Sequence, residues 1–181
     1  MKPVEFDYYA DGKRIVLTLS DEVVAIRQDC VTQPGRLSPQ RRRVLEPQLR
    51  PLLRGWSLTE SRNLTPAERA ELQAEGSLQP VFEAAGAQLV ALPEVRVEET
   101  RPQQQNALKH WLERQEDLEV ESGTALSEIT VVRPRSGRGE DAVRLASRVF
   151  QEVHPEAATP RFLRVVRRPH PGSEASIPQP D

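Results

Sequence analysis

Residues 139–166, GEDAVRLASRVFQEVHPEAATPRFLRVV, constrain the fold more than any other stretch of the chain. Ala142, Leu145, Ala146, Val149, Phe150 and Val153 recur at i, i+3, i+4, i+7, i+8 and i+11, one apolar stripe at helical period. Glu140 and Asp141 fall in the first turn, where the helix dipole favours negative charge. His154-Pro155 ends the run, because a residue before proline is pushed out of the helical region. Phe162, Val165 and Val166 then make a short β-prone segment with arginines between. A helix folding back onto a strand is half of a split βαβ unit, and the segments before it supply the other half.

Read in order, the chain gives a turn at Asp11-Gly12 after an aromatic and polar opening. Residues 14–19 and 22–27 then read as two strands, or as one strand broken at Ser20-Asp21. Residues 31–39 read as loop. Residues 39–54 have helical spacing interrupted by Pro47 and Pro51, which predicts two short helical pieces. Thr65-Pro66-Ala67-Glu68 carries an N-cap, a first-turn proline and a capping-box glutamate, so a helix runs to about Glu75 and stops at Gly76. Residues 78–82 read as a strand.

The second half reads β (88–98), α (102–115), β (118–125), β (128–133), α (139–153), β (161–166). This order predicts an α+β, ferredoxin-like βαββαβ sandwich. The first half carries traces of the same unit. Gln79-Pro80-Val81-Phe82 follows a helix as Thr159-Pro160-Arg161-Phe162 does, and Gly86 introduces QLVALPEVRV as Gly12 introduces RIVLTLSDEVVAI. The expectation is two tandem copies, a degenerate one in 1–85 and a complete one in 86–166, followed by a disordered tail in 167–181.

Composition narrows the function classes. The formal charge of −2 gives no global pull towards nucleic acid or anionic membrane. Cys30 is the single cysteine, so no intramolecular disulfide forms. The first dozen residues lack the apolar core of a secretion signal, and no apolar run reaches membrane-spanning length. A cytoplasmic protein is expected.

No motif announces catalysis. His110, His154, His170 and Cys30 show no metal-ligand spacing, and neither metal nor cofactor is expected. Ser136-Gly137-Arg138-Gly139 precedes a helix and could present amides to an anion, but it lacks a phosphate loop's lysine and spacing, so a plain connecting loop is the better reading. Glu140 and Asp141 read as first-turn residues rather than an acid/base pair, and Trp111 and Phe150 as core. RNA binding on such a sheet uses aromatics on its central strands, and 118–125 and 128–133 contain none. Arg41-Arg42-Arg43 and Arg161, Arg164, Arg167, Arg168 read as solvated charge or as a surface for an acidic partner.

The run GEDAVRLASRVFQEVHPEAATPRFLRVV resembles the last helix and strand of the N-terminal propeptides of subtilisin-like serine proteases. The opening YYADGKRIVLTLSDEVVAIR resembles the start of bacterial propeptides of that family, while residues 30–75 match it poorly. The resemblance implies a non-enzymatic protein that binds, inhibits or chaperones a protease, packing its sheet on it and laying an extended C-terminal tail in the substrate cleft. None of the family's catalytic aspartate, histidine or serine motifs occurs in the 181 residues. On this reading the partner contacts fall on the tail, at Arg167, Arg168, Pro169, His170 and Pro171, and on the last strand, at Arg161, Phe162 and Arg164. The alternative is an adaptor module of the same fold with no protease partner.

Overall fold

The structure, a computed structural model, describes residues 3–10, 12–33, 37–121 and 129–165. It is a mixed α+β protein in which one nine-stranded antiparallel sheet packs against helices. The strands are β1 (Glu5–Ala10), β2 (Lys13–Arg27), β3 (Arg50–Pro51), β4 (Trp56–Glu60), β5 (Leu78–Ala84), β6 (Ala87–Glu98), β7 (Leu118–Glu121), β8 (Ile129–Pro134) and β9 (Ala157–Val165). The helices are α1 (Gln28–Thr32), α2 (Pro39–Leu45), α3 (Pro66–Ala74), α4 (Pro102–Leu112) and α5 (Gly139–Val153).

Two strand sets repeat one pattern. In the first, β5-β2-β4-β3 lie side by side; in the second, β9-β6-β8-β7 do. Each set follows the chain order β, α, β, β, α, β, with α1 and α2 together in the first helical place. The registers match as well. Phe82 lies opposite Leu19 and Pro80 opposite Val24, with a ladder irregularity between Leu19 and Val24. Phe162 lies opposite Ala91 and Pro160 opposite Val95, with an irregularity between Ala91 and Val95. A bulge lets a long strand bend sharply, so both β2 and β6 change course at the same point of the pattern.

Strand β5 does double duty. It pairs with β2 on one side and, through the hairpin at Ala85-Gly86, with β6 on the other. With β1–β2 pairing, β6–β9 pairing and the single pair Tyr9 with Ala158, strands β1, β2, β5, β6 and β9 close a ring. Phe6, Leu17, Phe82 and Ala91 fill it, with Val143 of α5 as plug. Phe6 meets Phe82 edge-on with ring centres 5.2 Å apart. Separate helix-facing layers continue from the ring. One, around Ile26, Val31, Leu45, Leu64 and Leu78, lies under the first set; the other, around Val95, Val97, Trp111, Val132 and Val149, lies under the second.

Local chemistry explains the helix limits. Thr65 Oγ1 accepts from the Glu68 amide at 3.2 Å while Glu68 Oε2 accepts from the Thr65 amide at 2.8 Å, the reciprocal box that starts α3. Gly76, at φ +68°, takes the left-handed turn that follows α3. Helix α5 spans residues 139–153 as its stripe requires, with Ala142, Leu145, Ala146, Val149 and Val153 buried. It ends at His154-Pro155 as expected: His154 leaves the helix in the left-handed region, at φ 54°, and its carbonyl accepts from Gln104 Nε2 at 3.1 Å.

Several other boundaries move. Of the two readings for residues 14–27, the single strand interrupted near Ser20-Asp21 is the one that forms, and residues 5–10 join the sheet through alternating Phe6 and Tyr8. The expected loop at 31–39 begins inside α1, because Cys30 and Val31 are buried on the first helical layer. Only the first of two expected helical pieces in 39–54 forms. Beyond Leu45 the chain makes single 3₁₀ turns around the edge strand β3, where Pro51 costs no ladder donor. The last strand starts at Ala157 rather than 161, and α4 ends at Leu112 rather than 115. The central strands of the second set are β6 and β8, with β7 at the edge; neither central strand carries an aromatic residue. The expected boundary at 85/86 falls in the β5–β6 hairpin.

Candidate functional site

The face of the sheet opposite the helices carries its own apolar cluster. Val23, Ala25, Trp56, Leu58, Val81 and Val90 are buried there, and Leu52, Leu92, Leu163 and Val165 form a half-buried rim. Among the described residues, no helix contributes to this cluster. The two strand sets are thus joined on both faces, through the ring on one side and through this cluster on the other.

Polar groups frame the apolar patch. The Arg27 guanidinium lies 5.9 Å from the centre of the Trp56 ring, within cation–π reach. Side chains alternate across a strand, so Arg161 shares a face with Leu163 and Val165. Glu94 Oε1 accepts from Arg161 Nη1 at 2.7 Å, and its Oε2 accepts from Arg133 Nη2 at 3.2 Å. Arg133 also reaches Glu121 at 2.5 Å. Burial pulls the Arg133 guanidinium down, but the bonds to Glu121 and Glu94 outweigh it and leave it above its ordinary range. The Glu94 side chain is only 12% exposed, so this cluster is a fixed part of the face.

The residues expected on the last strand therefore separate. Arg161 joins the helix-free face, held by Glu94. Phe162 turns the other way, into the ring, with its centre 5.5 Å from that of Tyr8. Arg164 is exposed on the Phe162 side. Arg167, Arg168, Pro169, His170 and Pro171 lie outside the described residues. Glu94 and Gln79 carry no sequence signal of their own; only the paired registers reveal them.

Gln79 is the polar centre of the junction. It is 1% exposed, and its Nε2 donates to the carbonyls of Gly76 at 3.0 Å and Gly137 at 2.7 Å. Its Oε1 accepts from the Gly139 amide at 2.7 Å. The Gly139 amide is thus committed within the chain, and the Arg138 amide donates to Ser136 Oγ at 3.3 Å. That leaves the 136–139 segment a connecting loop rather than an anion cradle. Glu140 pairs with Arg138 at 2.8 Å and Asp141 with Arg144 at 3.0 Å.

The remaining candidates are placed by packing. Trp111 is buried and donates from Nε1 to Glu152 Oε2 at 2.6 Å. Phe150 is half-buried and stacks on Tyr9 with centres 4.6 Å apart. His110 is exposed beside Glu113, and His154 sits in the turn after α5. Among the described residues, no group of three or more His, Cys, Asp or Glu could hold a metal ion. No helix there is long and apolar enough to cross a membrane. An open groove of about 840 Å³ is lined by Glu22, Gln48, Arg50, Glu60, Arg62 and Asn63, where Arg62 already pairs with Glu60 at 2.5 Å.

No family model matches this chain, no curated protein matches it, and no solved structure matches it.

Proposed function

We propose that the chain is a pair of ferredoxin-like units that shares strand β5 and binds a partner protein rather than transforming a substrate. The partner class we assign is a subtilisin-like serine protease, restrained or assisted in folding by this protein. The observation that carries the reading is the repeated strand order, β5-β2-β4-β3 and β9-β6-β8-β7, with Pro80/Phe82 and Pro160/Phe162 in matching registers. That repetition supports an internal duplication. The propeptide resemblance at 139–166 supplies the partner class. The helix-free face, with Leu92, Leu163 and Val165 at its rim, is the surface such a contact would use.

The test adds the purified full chain, and separately a chain ending at Val166, to a subtilisin-like protease acting on a chromogenic peptide. Inhibition by the full chain that weakens in the shortened one supports a tail in the cleft. Equal association of both puts the contact on the sheet, where Leu163→Asp should abolish it. If neither chain associates with or slows the protease, the protease reading falls and an adaptor of the same fold takes its place.

A further inference from the structure

The two outermost strands of the sheet are β3 at one end and β7 at the other, and each is the second strand of its set. The chain segments that run through them differ in charge. Residues 41–54 hold Arg41, Arg42, Arg43, Arg50 and Arg54 against Glu46, with Arg41 bound to Glu68 and with Glu22 and Glu60 lining the groove beside Arg50. Residues 113–121 hold Glu113, Glu116, Asp117, Glu119 and Glu121 against Arg114 alone. Of these, Arg43, Arg50, Arg54, Glu116, Asp117 and Glu119 are exposed and make no ion pair among the described residues. Each edge also exposes a large apolar side chain, Leu53 at 77% and Val120 at 45%. Arg54 holds a left-handed conformation, φ 61°, at the tip of the β3–β4 hairpin, which a non-glycine residue adopts at a cost.

We propose that the chain associates with a second copy of itself, the acidic β7 edge of one molecule docking on the basic β3 edge of the other. Charge decides between the possible contacts. Two β7 edges would set carboxylate against carboxylate, and two β3 edges would set guanidinium against guanidinium. Only the mixed contact places opposite charges together and covers Leu53 and Val120. Charged edge strands commonly guard against edge-to-edge pairing. Here the guard blocks like edges and leaves unlike edges matched. Because the edges lie at opposite ends of one sheet, the contact is heterologous and repeats head to tail, closing into a ring where the rotation allows and extending as an open chain otherwise.

The test is sedimentation velocity on the full chain with charge-reversal variants of exposed residues only. Arg43→Glu with Arg50→Glu makes both edges acidic; Glu116→Arg with Glu119→Arg makes both basic and leaves Glu121 on Arg133. The wild type should self-associate, more weakly as salt rises from about 50 to about 500 mM, since screening shortens the reach of exposed charges. Each two-residue variant should lose association by about a hundredfold or more, because like-charge juxtaposition is strongly unfavourable. Mixing the two variants, or combining all four changes, should restore it. A monomeric wild type at low salt overturns the proposal. So does association that neither reversal weakens, or whose loss neither the mixture nor the combined variant repairs.

Discussion

Replacing Glu99 by glutamine should remove a pH dependence of stability and leave the protein more stable above neutrality. Glu99 follows β6 and is 5% exposed, and its Oε1 has no hydrogen-bond partner. Burial of the charged form pushes its carboxyl up from 4.5 to about 7. A carboxyl raised in the folded state binds its proton more tightly there than in the unfolded chain. Its stabilising proton is therefore fully present below the unfolded value of 4.5. That contribution is lost as pH rises through the folded value of about 7. Each pH unit between the two values corresponds to about 1.4 kcal/mol, so the span amounts to roughly 3 kcal/mol. In a chain of this size that is a Tm difference of about 6–12 °C. The assay is urea unfolding of wild type and Glu99→Gln from pH 4.5 to 8. The curves should coincide at the acidic end, where a protonated carboxyl and an amide are near-isosteres, and separate steadily above it. Parallel curves across the whole range would refute the assignment of a buried, unpaired carboxyl at this position.

Other positions give independent tests. A Cβ on Gly139 would stand 2.1 Å from the Ala91 carbonyl oxygen, so Gly139→Ala should cost about 1–3 kcal/mol in urea unfolding as α5 is forced off the sheet. Gln79→Leu leaves the buried Gly139 amide and the half-buried Gly76 and Gly137 carbonyls without that partner; a loss of about 1–3 kcal/mol and faster hydrogen exchange at the Gly139 amide should follow. The bidentate bond from Arg41, helped by the Thr65 cap, holds Glu68 down at about 2. Its contribution is therefore present above 4.5 and lost as pH falls towards 2. Glu68→Gln should flatten the acid limb of the wild-type stability curve in that window.

The second half of the chain was largely legible because its signals are local. The α5 stripe, the Pro102 start and the alternation of Val95 and Val97 each sit within one element. The first half was less so, because its elements answer to distant partners. Trp56–Glu60 becomes a strand only because β2 lies beside it, and α1 forms where burial of Cys30 and Val31 overrides a loop-like sequence. The candidate surface was legible in part. The last strand was identified, but which of its residues face the open side depends on the irregularity opposite Pro160, and sequence spacing does not show that. Phe162 thus joins the ring, while Glu94, with no motif around it, becomes the anchor of Arg161.

The repeat at Pro80 and Pro160 suggests two domains, yet the shared strand argues that neither half stands alone. Without residues 1–85, the β6 edge at Ala87–Val90 loses its ladder to β5, and the ring around Ala91 and Val143 loses Phe6, Leu17 and Phe82. Each fully buried apolar side chain stabilises by about 1.5–3 kcal/mol, so the three account for roughly 5–9 kcal/mol. That is comparable with the entire stability of an ordinary domain, about 5–15 kcal/mol. Residues 86–165 expressed alone should therefore lack a cooperative thermal transition and fixed aromatic signals in near-ultraviolet circular dichroism. Coexpression with residues 1–85 should restore both, since the hairpin at 85/86 is a connection and the ladder is the bond. A fragment 86–165 that unfolds cooperatively by itself would mean that β5 merely leans on the second strand set, and that the ring is an accident of packing rather than the feature that makes the two sets one body.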